Sequence, residues 1–236
     1  MAGKRESLNS LYILDTGCFD ERDAFEKALA SVDGERKEKI YKLKPFRDKC
    51  LSLGAGVLLN HAMKTAGIND FKTALSEHGK PYLQGRGDVF FNISHSGNMV
   101  IVGVSDREIG VDIEKVRHFN DSLKNYVFSE GDLRLSELIE KKYSFEAAGE
   151  VSPSDIALTR LWTVKESIMK HSGLGISLGP KMIRLRGIEE GSTLAIIADS
   201  DKYDCASLEI TCFSLEGYQI SVCSFYRDFP EPEEVR

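Results

Sequence analysis

Residues Phe91 to Glu114 read FNISHSGNMVIVGVSDREIGVDIE, and the rest of the chain is organised around this stretch. Its first part alternates well enough for two strands, Asp88 to Ser94 and Met99 to Ser105, with Ser96-Gly97-Asn98 as the hairpin turn between them. Its last part sets Asp112 and Glu114 two residues apart. Side chains of an extended segment point alternately to opposite faces, so the two carboxylates share one side while Val111 and Ile113 take the other. Oxygen donors so arranged suit a hard divalent cation such as Mg²⁺, commonly held by one or two carboxylates plus phosphate oxygens. Two solvated acids on an edge strand would look the same, so the neighbours must decide. Ser94 and His95, at the end of the first strand, can donate hydrogen bonds to a phosphate; His95 can equally cap the turn.

At 236 residues, 42% hydrophobic and 29% charged, the chain has the make-up of an ordinary globular protein with one large or two small domains. A net charge of -6 and a pI near 5.5 argue against a general nucleic-acid binder, so any anionic ligand must be met by a local basic patch. MAGKRESLNSLYILD holds no apolar run of signal-peptide length, and no segment approaches the roughly 18 apolar residues of a membrane span. A cytoplasmic protein without membrane or nucleic-acid partners is expected. Cys18, Cys50, Cys205, Cys212 and Cys223 are scattered, odd in number and free of any C-x-x-C pair, which indicates neither a disulfide framework nor a zinc site.

Upstream, Leu11 to Leu14 reads as a strand and Glu21 to Ala30 as a helix, followed by a turn at Asp33-Gly34. The run ERKEKIYKLKPFRDK then carries Arg36, Lys37, Lys39, Lys42, Lys44, Arg47 and Lys49 against three acids, either a solvated helix face or a phosphate-binding patch. From Cys50 small and apolar residues recur at helical spacing up to Gly67, with Gly54 and Gly56 as close-packing positions and His61 in a structural role. Lys80 lies in the turn His78-Gly79-Lys80-Pro81, held extended by the following proline.

Downstream, Lys115 to Ser122 reads as a linker, Ser129 as the cap of a helix to about Lys142, and YSFEAAGEVSPSD as a looser segment. Ser152, Pro153 and Asp155 start a second helix, which Gly173 stops. On it Trp162, Glu166 and Lys170 are four apart and line one face, while Lys165 and Met169 form the adjacent row. Glu166 and Lys170 alone would be a surface ion pair, but a tryptophan on the same face points to an interior or a cleft. Strands are predicted at Thr193 to Ala198, Leu208 to Phe213 and Tyr218 to Phe225, ahead of an acidic, frayed tail FPEPEEVR.

Three separated motifs thus occur in one order: GKP at Gly79 to Pro81 followed by FNISHSG at Phe91 to Gly97, IGVDIE at Ile109 to Glu114, and WTVKESIMKHSGLG at Trp162 to Gly175. Together they make the chain resemble the 4′-phosphopantetheinyl transferases of the monomeric, surfactin-type (Sfp-like) class over nearly its whole length. The resemblance implies an α+β fold of two similarly folded halves related by a pseudo-twofold. These are expected at residues 1–115 and 116–228, with the tail at 229–236 and the cleft between the halves. It implies an enzyme that moves the phosphopantetheine arm of coenzyme A onto a serine of an apo acyl or peptidyl carrier protein, releasing adenosine 3′,5′-bisphosphate. By the same resemblance Asp112, Glu114 and Glu166 bind Mg²⁺, with Mn²⁺ as the substitute cation. Glu166 then acts as base or orients the water that does, and Lys170 stabilises the leaving phosphate, with Lys165 in the same area. Arg36 and Lys39 lie near the phosphates or adenine of coenzyme A, Ser52 keeps a hydroxyl found in relatives, and Lys80, Ser94 and His95 hold the 3′-phosphate. Where the family usually has an arginine this chain has Cys50, and Arg47 or Lys49 would compensate. A catalytically inactive coenzyme A- or carrier-binding protein would have lost one of the three acids, and a Mg²⁺-dependent phosphodiesterase would need a water-activating histidine set; neither pattern is present.

Overall fold

The computed structural model describes residues 8–143, 151–190, 193–227 and 229–235. The chain runs through one series of elements twice. The first pass comprises β1 (Ser10–Asp15), helices α1 (Arg22–Ala30), α2 (Gly34–Lys42) and α3 (Phe46–Thr65), a short hairpin of β2 (Thr73–Leu75) and β3 (Pro81–Leu83), and a longer one of β4 (Phe90–Ser96) and β5 (Met99–Ser105). The second comprises β6 (Gly110–Lys115), α4 (Asp121–Val127), α5 (Glu130–Tyr143), α6 (Pro153–Ser172), the hairpin β7 (Ile183–Glu190) with β8 (Thr193–Ser200), and the hairpin β9 (Glu209–Leu215) with β10 (Tyr218–Ser224). Pairing repeats as well: β1 lies between no strands of its own hairpin but joins β5, which joins β4, and β6 likewise joins β10, which joins β9, all antiparallel. The two-half α+β architecture is therefore present, with a 20-residue helix backing each sheet.

Local chemistry sets the helix ends. At α6 the Ser152 side chain accepts from the Asp155 N–H, Asp155 reaches back to the Ser152 N–H, Pro153 fills the first turn, and Gly173 ends the helix at φ 72°. The predicted turn at Asp33-Gly34 is instead the start of α2, where Asp33 Oδ1 accepts from the Arg36 N–H at 2.7 Å. The basic run consequently divides between α2 and the beginning of α3, parted by Leu43-Lys44-Pro45 because a proline disfavours helix in the residue before it. Helix α4, the β2–β3 hairpin and β7 were not foreseen, and residues 144–150 of the looser segment lie outside the described residues.

Three apolar clusters hold these layers. One fills the first half between α3 and its sheet (Leu14, Leu53, Leu58, Met63, Val100), and one fills the second between α5, α6 and the later strands (Leu135, Leu161, Ile168, Ile183). The third joins the halves, where Leu11, Ile13 and Ile101 meet Val111, Ile113, Ile220 and Val222. Each such fully buried aliphatic side chain contributes about 2 kcal/mol.

Two sequence expectations change here. The boundary expected at residue 115 leaves β6 with the first half, yet it hydrogen-bonds to β10 from Tyr218↔Lys115 to Cys223↔Gly110, so pairing puts it with the second. A composition change after Glu114 marks a loop, whereas strand partnership over a hundred residues leaves no local trace. Nor is the tail frayed: Phe229 is buried between the halves, and β11 (Glu233–Glu234) adds to β1 in parallel with the Val235 N–H donating to Ile13 O at 2.8 Å.

Candidate active site

Gly110 decides where α6 lies. A Cβ there would overlap the Ser167 carbonyl oxygen and press on the His171 backbone, so only glycine lets the helix backbone settle on β6. From the other side, the buried Asn92 Oδ1 accepts the Val111 N–H at 2.9 Å and ties β4 to β6. β6 is thus clasped between α6 and β4, and its Asp112 and Glu114 meet side chains from both.

Alternation then does the rest. Ser94 and Ser96 on β4 and Asp112 and Glu114 on β6 are each two apart, and they match in pairs: Ser94 Oγ donates to Asp112 Oδ1 at 2.7 Å and Ser96 Oγ to Glu114 Oε2 at 2.8 Å. From α6, Trp162 Nε1 donates to Glu114 Oε1 at 3.2 Å, and Lys170 Nζ donates to Asp112 Oδ1 at 2.6 Å and to Ser94 Oγ at 2.7 Å. The i, i+4 face predicted for α6 is therefore the face turned to the acids.

Electrostatics reflect this crowding. Burial raises the pKa of Glu166 to about 7, reinforced by the charge of Asp112 and, after the opposing pull of Lys170, by Glu114. Burial likewise raises Asp112, against the bonds and charge of Lys170 and the bond from Ser94. Asp112 Oδ2 is buried and accepts no hydrogen bond. Among the described residues no three His, Cys, Asp or Glu side chains are grouped to hold a metal ion as they stand; Lys170 supplies the positive charge between the acids. The donor set itself fits a hard cation: three carboxylates, one with a buried oxygen lacking any donor, and no soft ligand among them.

The other predicted site residues scatter. Lys165 is a correction: it is fully buried, and its ammonium is bound by Asp132 Oδ2 at 2.9 Å, Pro180 O at 2.9 Å and the Ile183 carbonyl. One residue along a helix is a 100° rotation, enough to turn Lys165 into the second-half core while Glu166 faces the cleft. Ser94 is committed to Asp112 and Lys170 rather than to an open anion site. Lys80 is also engaged elsewhere, donating to Glu108 Oε2 at 2.6 Å, Ile109 O at 3.2 Å and His171 O at 3.1 Å. The trio expected for the 3′-phosphate is therefore not assembled. His95 remains exposed on β4, its pKa lowered by desolvation and by Lys170. Ser52 Oγ on α3 is buried without a partner. Arg36 is half-buried in a cleft of about 650 Å³ with Asn60, Phe71, Lys72 and Gln84, away from Asp112, Glu114 and Glu166, and Lys39 is exposed on α2.

Sequence reasoning missed Ser96, Asn92, Gly110 and the indole contact of Trp162. The signal for Ser96 was its place two residues after Ser94, the same spacing as the two acids.

A family model described as the 4′-phosphopantetheinyl transferase superfamily matches residues 108–223, and one described as the N-terminal region of 4′-phosphopantetheinyl transferase matches residues 20–107. They meet just ahead of β6, where strand pairing also divides the molecule. The chain is 27% identical over 210 residues to 4′-phosphopantetheinyl transferase Sfp of Bacillus subtilis (strain 168), covering 87% of this chain and 88% of that protein. It is 26% identical over 212 residues to 4′-phosphopantetheinyl transferase gsp of Aneurinibacillus migulanus, covering 87% and 81%. A shorter match, 36% over 100 residues, is to 4′-phosphopantetheinyl transferase AcpT of Salmonella typhimurium, covering 41% and 47%. With both halves matched by models of one enzyme family and relatives of the Sfp-like class aligned along most of its length, the chain belongs to the 4′-phosphopantetheinyl transferase superfamily.

Proposed function

We propose that this enzyme transfers the 4′-phosphopantetheine moiety of coenzyme A to a serine hydroxyl of an apo acyl or peptidyl carrier protein, requiring Mg²⁺ and releasing adenosine 3′,5′-bisphosphate. The observation that carries the reading is the meeting of Asp112, Glu114, Glu166 and Lys170 around a buried, unpartnered Asp112 Oδ2. Asp112, Glu114 and Glu166 would hold Mg²⁺, or Mn²⁺ in its place, and the ion would supply neutralisation of charge on the pyrophosphate.

The remaining chemistry falls to the chain and its substrates. The serine oxygen bonds to the β-phosphorus, the bond from that phosphorus to the bridging oxygen breaks, and its electron pair leaves with the nucleotide. Glu166 receives the serine proton, directly or through one water. Lys170 faces the same place from one turn further along α6 and meets the charge developing on the leaving phosphate. Arg36, Lys39, Ser52 and His95 support the nucleotide, with the partnerless Ser52 hydroxyl and the half-buried Arg36 guanidinium as the groups that favour it. One chain carries every one of these groups, so a monomer suffices.

The test is direct. Purified protein is incubated with coenzyme A, Mg²⁺ and apo carriers from fatty-acid, polyketide and nonribosomal peptide synthesis, and the carriers are weighed by mass spectrometry. A phosphopantetheine mass added to at least one carrier, and lost when the divalent cation is chelated, is the expected result. No added mass on any carrier overturns the reading.

A further inference from the structure

We infer that Ser96 and Trp162 are positioning residues that brace Glu114, one on each carboxylate oxygen, and so set its affinity for a divalent cation; this rests on the metal-binding reading above. Glu114 is half-buried, and its two oxygens accept from different elements: Oε2 from Ser96 on β4 and Oε1 from Trp162 on α6. Among the described residues neither donor gives its proton to another acceptor. The Ser96 oxygen itself accepts the Lys115 N–H at 3.1 Å, which leaves its hydroxyl hydrogen for Glu114. The indole N–H is donor only, and its ring is buried at 9% exposure in the second-half core, so the donor is fixed by packing and not by a flexible stem.

A carboxylate offers about four lone-pair directions, and two neutral donors take two of them while adding no charge. Glu114 therefore keeps free acceptor capacity, but loses the freedom to swing out toward solvent. Asp112 differs: its Oδ1 is held by Ser94 and by the charged Lys170. The brace on Glu114 also spans the molecule, because β4 belongs to the first half and α6 to the second. Outer donors that orient metal ligands of this kind govern affinity by about 10- to 100-fold when removed.

Trp162 is the sole tryptophan of the chain, which gives a readout independent of turnover. Mn²⁺ or Mg²⁺ titrated into the full-length protein, without coenzyme A or carrier, should change its intrinsic fluorescence, since the indole touches a carboxylate expected to bind the ion. Mn²⁺ binding followed by electron paramagnetic resonance then compares variants. Ser96→Ala and Trp162→Phe should each weaken binding by about 10-fold or more, Ser96→Thr should restore it, and in turnover the concentration of Mg²⁺ needed should rise far more than the KM for coenzyme A. Should Trp162→Phe disturb folding, as circular dichroism would show, the Ser96 pair carries the test alone. Cation binding by the natural protein with unchanged affinity in Ser96→Ala overturns the brace while leaving the metal reading intact. No cation binding by the natural protein overturns both.

Discussion

The two halves share a plan but differ in what lies between helix and strand. In the first half the glycine is on the helix: Gly54 of α3 brings that backbone close to the side chains of Leu14, Thr16 and Val100. In the second half it is on the strand: Gly110 of β6 lets the backbone of α6 come down on it. The interiors differ as well. Buried polar groups of the first half are few, and Asn92 and Ser94 among them lie at its seam with the second. The second half buries Lys165 with Asp132, Arg160 with Gln219, and Thr163 with Ser221. One half is thus a mainly apolar scaffold, and the other fixes a long helix with directional bonds. Directional bonds define the rotation of a helix more sharply than apolar contact does, and rotation determines which row of α6 reaches the acids of β6.

The largest break in this comparison is chemical. Asp112→Asn keeps the shape and the bond from Ser94 but removes the charge that faces Lys170, and transfer should fall by about 10³-fold or more with the fold retained. Steady-state rates beside a thermal melt check this; full activity at limiting Mg²⁺ would remove Asp112 from the site.

Next comes the paired glycine test. Gly110→Ala drives a methyl into helix backbone and should cost about 3 kcal/mol or more, whereas Gly54→Ala meets the Thr16 methyl first and should cost about 1 to 2 kcal/mol. Urea denaturation of both variants measures the difference, and equal losses would remove the asymmetry between the halves.

A third effect sits in the second half, with one charge from the first acting on it. His171 is buried beside Tyr203, and burial followed by the Lys80 charge lowers its pKa to about 4. Because the folded value is depressed below the unfolded one, near 6.5, the folded state is unaffected above pH 6.5. It loses stability as the pH falls from there through 4, by up to about 3 kcal/mol. His171→Phe should flatten that part of the stability curve, as melts between pH 7 and 4 would reveal.

The smallest effect concerns the seam. Lys80 joins the loop before β3 to Glu108, to Ile109 O and to the His171 carbonyl at the end of α6, so Lys80→Met should lower kcat/KM several-fold, equally for coenzyme A and its 3′-dephospho form. A loss confined to coenzyme A would return Lys80 to the 3′-phosphate.

These outcomes bear on what was legible in advance. The cap of α6, its Trp162-Glu166-Lys170 face, the β4–β5 hairpin and the alternation of Asp112 with Glu114 all follow from residues within a few positions of one another. Lys80, Ser94 and Lys165 were assigned by motif membership, and each proved tied to a partner 18 to 91 positions distant. The internal duplication was expected only through the family resemblance, because it is written in pairing order and not in repeated residues.

By itself, the sequence determined the local pieces and, through three motifs in order, the family. Periodicity, capping and family motifs are carried by the order of residues along the chain and need no partner. Only the tertiary structure decided that β6 belongs to the second half, that the tail returns to β1, that Lys165 lies in the core, and that Ser96 and Trp162 hold Glu114. Each of those depends on which surfaces pack together, and packing is settled by the whole set of buried contacts at once.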